Sequence, residues 1–231
     1  QGYQMAAEKA IEIAKSMAVD VSENDRALLK KIADTAMTGK LAESGESKMS
    51  EYAVELVLNA LESYNGKKKF DMDRVNVEKK VGESTLDSQI IEGVVIDKEI
   101  VHQNMPRKVE NARIALLSTP IESKDTETKA ELQITTSTQF QQFMEHEKAR
   151  VKEAADKVIA SGANVVFTQK GIDDLAQHYL ANAGILALRR VIKKDLDRLV
   201  RATGATIVTG LDELKPELLG SAALVEEKRI G

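Results

Sequence analysis

Cysteine is absent from the 231 residues, which excludes disulfides, thiolate metal sites and thiol catalysis. The absence fits a reducing compartment, and a cytoplasmic location is expected. Tryptophan is absent too, and aromatic residues make up only 3% of the chain, so the core must rest on Val, Ile, Leu, Ala and Met. No apolar run approaches the ~20 residues needed to cross a bilayer, and no signal peptide opens the chain. No basic block of the kind that neutralises phosphates occurs. Both signs of charge are interspersed around a net −4, so neither nucleic acid nor membrane is expected as a partner. What is present, 42% apolar and 30% charged residues, suits a folded chain and argues against disorder.

The first third reads as helical. Ala6, Ala10, Ile13, Ala14 and Met17 follow helical spacing from the very start. A helix that begins without a capping residue predicts a chain cut from something longer. In "VSENDRALLKKIADTAM", Ser22 is the expected N-cap, and Leu28, Leu29, Ile32, Ala33 and Ala36 make one apolar face. "KMSEYAVELVLNALESY" places Met49, Tyr52, Ala53, Leu56, Val57, Ala60 and Leu61 on a single stripe, and "NGKKK" ends it as a turn.

Period two follows, with Val75, Val77 and Val81 predicting a strand. The polar run after Gly82 is the best domain boundary. Strands are predicted within "IIEGVVIDKEIV", "ARIALLSTPIES" and "KAELQIT", then a long helical segment over about 136–160. From Asn164 to Thr209 the order is β-α-β-α-β, with Gly204 closing the second helix, and this argues for a parallel layered sheet. The fold class is therefore α/β, or α+β over the whole chain.

Candidate chemistry is sparse. "TGK" at Thr38–Lys40 shares its ending with a phosphate-binding loop. The full pattern needs Gly where Asp34 stands and Ser or Thr where Leu41 stands. His102, His146 and His178 show no metal-ligand spacing, so no metal site is expected. In "GIDDLAQHYLANAG" the stripe Ile172, Leu175, Ala176, Tyr179, Leu180, Ala183 should face the sheet. Asp173, Asp174, Gln177, His178, Ala181 and Asn182 should then face outward. On the long helix, Phe140, Phe143 and Met144 cluster at i, i+3 and i+4 among Gln, Glu and Lys. Apolar patches on a polar helix mark interaction sites, and Met suits partners of varied shape.

"GANVVFTQKGIDDLAQHYLANAGILALRRV", "KKDLDRLVRATGATIVTG" and "LGSAALVEEKRIG" together resemble a group II chaperonin subunit of the archaeal thermosome type. "GVVIDKEIVHQNMPRKVENARIALL" and "IADTAMTGK" extend the match over nearly the whole chain. The resemblance implies three parts. Residues 1 to about 21 would be the end of an equatorial-domain helix, about 22–82 the first intermediate-domain segment, and about 83–231 the apical, client-binding domain.

It further implies a helical protrusion at about 135–160 that acts as a built-in lid. Client-binding candidates are Phe140, Phe143 and Met144 on that protrusion and Gln177, His178 and Ala181 on the helix after it. Gly39 and Lys40 match a loop that senses the γ-phosphate, and Gly82 and Gly231 stand where hinges are expected. The family's Gly-Asp-Gly-Thr phosphate loop does not occur here. The water-activating Asp would fall after Gly231. No catalytic residue and no cofactor are therefore expected in this chain, while the full-length subunit would use ATP and Mg as an ATPase. Expected partners are non-native client proteins and sister subunits of a double ring. The rival readings are a small-molecule enzyme on a βαβ scaffold, with a pocket near Thr168–Gly171 or Thr209–Gly210, and an adaptor with one fixed protein partner.

Overall fold

The computed structural model describes residues 1–39, 46–81, 87–122 and 137–228. The chain divides into two compact units, one from Gln1 to Ile90 and one beginning at Ile91.

In the first unit, α1 (Gly2–Met17) is exposed along its whole length. α2 (Arg26–Met37) is capped by Asp25, whose carboxylate accepts from the Leu28 amide at 3.0 Å. Asp25 rather than Ser22 is the cap. Ser22 Oγ instead accepts from the Asn24 amide one turn too early for the helix. α3 (Glu46–Asn59) packs on α2, and Lys30 reaches across to Glu51 at 2.7 Å.

The helical stripe predicted to run through Leu61 stops at Asn59, because Leu61–Tyr64 (β1) pairs antiparallel with Lys67–Phe70 (β2). Asn65 and Gly66 join them with φ of 51° and 73°, the left-handed pair that a two-residue hairpin needs. "NGKKK" is thus a turn leading into a strand. No strand forms at Val75–Val81. Among the described residues no strand lies in register with it, and Val77 and Val81 are exposed, so alternation alone cannot make a strand.

The second unit is built on a sheet of Lys108–Leu117 (β3), Val165–Thr168 (β4), Leu186–Leu188 (β5), Ile207–Val208 (β6) and Gly220–Glu226 (β7). The order is β5-β4-β3-β6, all parallel. β7 pairs antiparallel with the first part of β3, on the edge that β6 occupies further along. Ser137–Ala160 (α4), Asp174–Asn182 (α5) and Lys193–Thr203 (α6) supply the helices. The expected β-α-β-α-β order is β4-α5-β5-α6-β6, and Gly204 closes α6 at φ 74°.

Successive strand residues feed opposite layers, as the pleat requires. Ala115, Leu117, Val166 and Ala187 join Val151 and Val158 of α4 and Ala176 and Leu180 of α5 on one face. Ile114, Leu116, Val165, Phe167, Leu186 and Leu188 join Leu196 and Leu199 of α6 on the other. Strands covered on both faces read as continuous apolar runs, and that is why β4 is Val-Val-Phe-Thr.

Residues 91–100 form no strand, against expectation. Val94, Ile96 and Ile100 lie half-buried on the α6-side core as irregular chain, which explains their apolarity without a ladder. "KAELQIT" lies outside the described residues.

Candidate functional site

α4 differs along its length. Its second half docks on the sheet through Val151, Ala155 and Val158, the helix's only buried residues. In its first half, Phe140 is 53% exposed and Met144 38%, with Phe143 half-buried between them. Gln141, Gln142, Glu145 and Lys148 flank them in sequence, and Phe140 and Met144 stay exposed. An amphipathic helix normally buries such a stripe; here the described residues leave it open.

α5 begins at an Asp173 cap, whose carboxylate accepts from the Leu175 amide at 2.8 Å. The structure corrects two of its expected outward residues. Gln177 is 5% exposed and Ala181 7%. α5 lies against both the sheet and α4, so its buried arc is wider than one stripe and rotates toward 177 and 181. Ala183 is left exposed and Tyr179 half-buried.

Burying an amide demands partners. Gln177 Nε2 donates to the Ile172 carbonyl at 2.8 Å and to Asp174 Oδ1 at 3.0 Å, so the side chain staples the first turn of its own helix. His178 does face solvent. Its ring meets His102 edge to face, with centroids 6.0 Å apart. His102 in turn accepts at Nδ1 from the Asn104 amide at 3.2 Å. That pairing across more than seventy positions had no local sign in the sequence.

At the strand ends, the two threonines of the expected pocket regions are both engaged in hydrogen bonds. Thr168 is fully buried, its hydroxyl donating to the Thr119 carbonyl at 2.9 Å and accepting from the Lys170 amide at 3.1 Å. Thr209 donates to Glu213 at 3.1 Å. Two shallow, open depressions are present, the first of them just past the end of β6. One, of about 280 Å³, is lined by Lys157, Ser161, Leu211 and Asp212. The other, of about 360 Å³, is lined by Glu23, Arg26, Asn59 and Lys68. Lys157 is pushed up to about 12 by its hydrogen bonds to Asp212 and Glu153, which makes it a fixed cation and a poor base. Among the described residues no three His, Asp or Glu side chains are grouped to hold a metal ion.

Gly39 adopts φ 73° just past α2, where Thr38 turns back to donate through both its amide and its hydroxyl to the Asp34 carbonyl. This is helix-ending geometry. Lys40, Gly82 and Gly231 lie outside the described residues. No described helix is long and apolar enough to cross a membrane.

A family model described as the TCP-1/cpn60 chaperonin family matches residues 1–231. The chain is 50% identical over 230 residues to the thermosome subunit beta of Archaeoglobus fulgidus and 52% identical to the thermosome subunit of Methanopyrus kandleri. All of this chain is covered in both comparisons, but only 42% of each relative's length. A solved open-state monomer of a group II chaperonin from Methanococcoides burtonii is similar at 46% identity and a TM-score of 0.73. That match covers 99% of this chain and 51% of the other.

Proposed function

The chain belongs to the TCP-1/cpn60 chaperonin family, and from that premise we propose that it is the client-holding portion of a group II chaperonin subunit. Non-native proteins expose apolar surface, and burying it releases roughly 25 cal/mol per Å². The observation that carries the reading is the open apolar stripe of α4. Phe140 and Met144 lie in water on a helix whose other half is firmly docked. A small, adaptable patch of this kind holds varied partners weakly and reversibly.

His178 on α5 is a second contact in this proposal, while Gln177 and Ala181 serve the core. In the full-length subunit the protrusion closes as a lid over the client, driven by ATP and Mg. Lys40 beside Gly39 senses the γ-phosphate there, and Gly82 and Gly231 act as hinges. Sister subunits complete a cytoplasmic double ring. By itself the 231-residue chain turns over no ATP, since phosphoryl transfer needs a positioned metal and base that one Lys cannot supply.

The test is binding to several unrelated unfolded proteins, followed by fluorescence anisotropy. Comparable micromolar-range binding to all of them supports the reading. Selective binding to one folded partner would replace it with the adaptor reading.

A further inference from the structure

We propose that the rim formed by the ends of β4 and β5 and the first turn of α6 is a docking surface for acidic, extended polypeptide segments. The proposal rests on the client-binding reading and names the class of client that this rim selects. β4 and β5 are neighbouring parallel strands, so their carboxyl ends open at the same edge. Lys170 follows β4, Arg189 and Arg190 follow β5, and Lys193 and Lys194 begin α6. The Arg190 amide donates to the Lys170 carbonyl at 3.0 Å, which holds the two loops together. All five cations are exposed, and none has an ion-pair partner among the described residues.

Their anionic neighbours do not neutralise them. Asp195 is engaged by Arg198 at 3.0 Å. Asp173 caps α5. Glu122 lies against the Gly171 backbone, and Asp197 is one turn further along α6. Among the described residues no carboxylate, these four included, forms an ion pair with any of the five cations.

The local sequence opposes stability here. Lys193 and Lys194 occupy the first turn of α6, where the helix dipole penalises cations. Ile192 holds the N-cap without a side-chain hydrogen bond and is 57% exposed. An apolar anchor ringed by unpaired cations complements a segment that carries an aliphatic side chain among Asp and Glu. Nucleic acid is the poorer fit. The rim stretches "TQKGID" and "RRVIKK" contain no aromatic ring on which a base could stack, and the chain is net negative.

Two disordered peptides of equal length and apolar content, one Glu-rich and one Lys-rich, and an oligo-dT of matched charge would be titrated against the 231-residue chain. The acidic peptide should bind about tenfold tighter than the basic one in dilute buffer, with the preference shrinking as salt screens it. K193E/K194E should abolish or invert that preference while leaving the far-UV circular dichroism unchanged. Lys170→Glu, on a different loop, should weaken it in the same direction.

Equal affinity for both peptides, or a preference untouched by both variants, overturns the proposal and leaves the client-binding reading standing. Tighter binding of oligo-dT than of the acidic peptide overturns it in favour of a nucleic-acid surface. If no unfolded protein binds at all, both readings fall together.

Discussion

Lys157 Nζ lies 2.7 Å from Asp212 and 2.8 Å from Glu153, so a residue of α4 clamps the turn that follows β6. These two hydrogen bonds raise the folded pKa to about 12, above the ordinary 10.5 of a free lysine. A raised lysine contributes stability that is complete below the unfolded value and is lost as pH rises through the folded one. The clamp should therefore be indifferent to pH across the neutral range and release between about 10.5 and 12. Titration of the Lys157 side-chain resonance should show the elevated midpoint, and Asp212→Asn should lower it. Lys157→Met should lower the melting temperature by about 3 °C at most, because the pair is solvent-exposed.

Gln177 offers a sharper test of what α5 does. Gln177→Ala leaves the Ile172 carbonyl and Asp174 without the amide that joins them. The expected loss is about 1–3 kcal/mol of stability by urea denaturation. Client binding should be unchanged under conditions where the variant is folded. A fall in binding at constant stability would return Gln177 to the binding surface.

Gly220 opens β7 beside the end of α6. A Cβ there would stand 2.4 Å from Thr203 Oγ1 and 2.7 Å from the Ala205 Cβ. Gly220→Ala should cost about 1–3 kcal/mol through overpacking, read from the denaturation midpoint.

Asp25 and Ser22 can be separated by amide exchange. Asp25→Ala should speed exchange at Leu28 and cost about 1 kcal/mol of α2 stability, while Ser22→Ala should leave Leu28 unaffected.

The sheet of the second unit was legible because its chemistry is local. "NVVFT", "ILAL" and "ATIVTG" are strand cores between helices with clean periods, and Gly204 marks a helix end that only a left-handed residue completes. The misses have physical causes. Val75, Val77 and Val81 alternate correctly, but a strand exists only where another accepts its hydrogen bonds. Leu61 satisfied the helical period, yet Asn65–Gly66 imposed a hairpin that reached back and ended the helix early. Ile96 and Ile100 are apolar because they cover a sheet face, a role that has no periodicity.

At the candidate site, the exposure of Phe140 and Met144 followed from the polar residues around them. Gln177 and Ala181 did not, because a single sequence shows one helix face and says nothing of a second helix packed at its side. His102 and His178 meet only through the tertiary fold.

The exposed stripe of α4 is the proposed grip on non-native chains. The direct measurement is the dissociation constant for one unfolded protein, compared between the unaltered chain and F140S/M144S, with circular dichroism confirming that both are folded. Weakening of about tenfold or more, the scale of losing well-packed apolar anchors, is the predicted result. An unchanged constant in the folded variant would contradict the account.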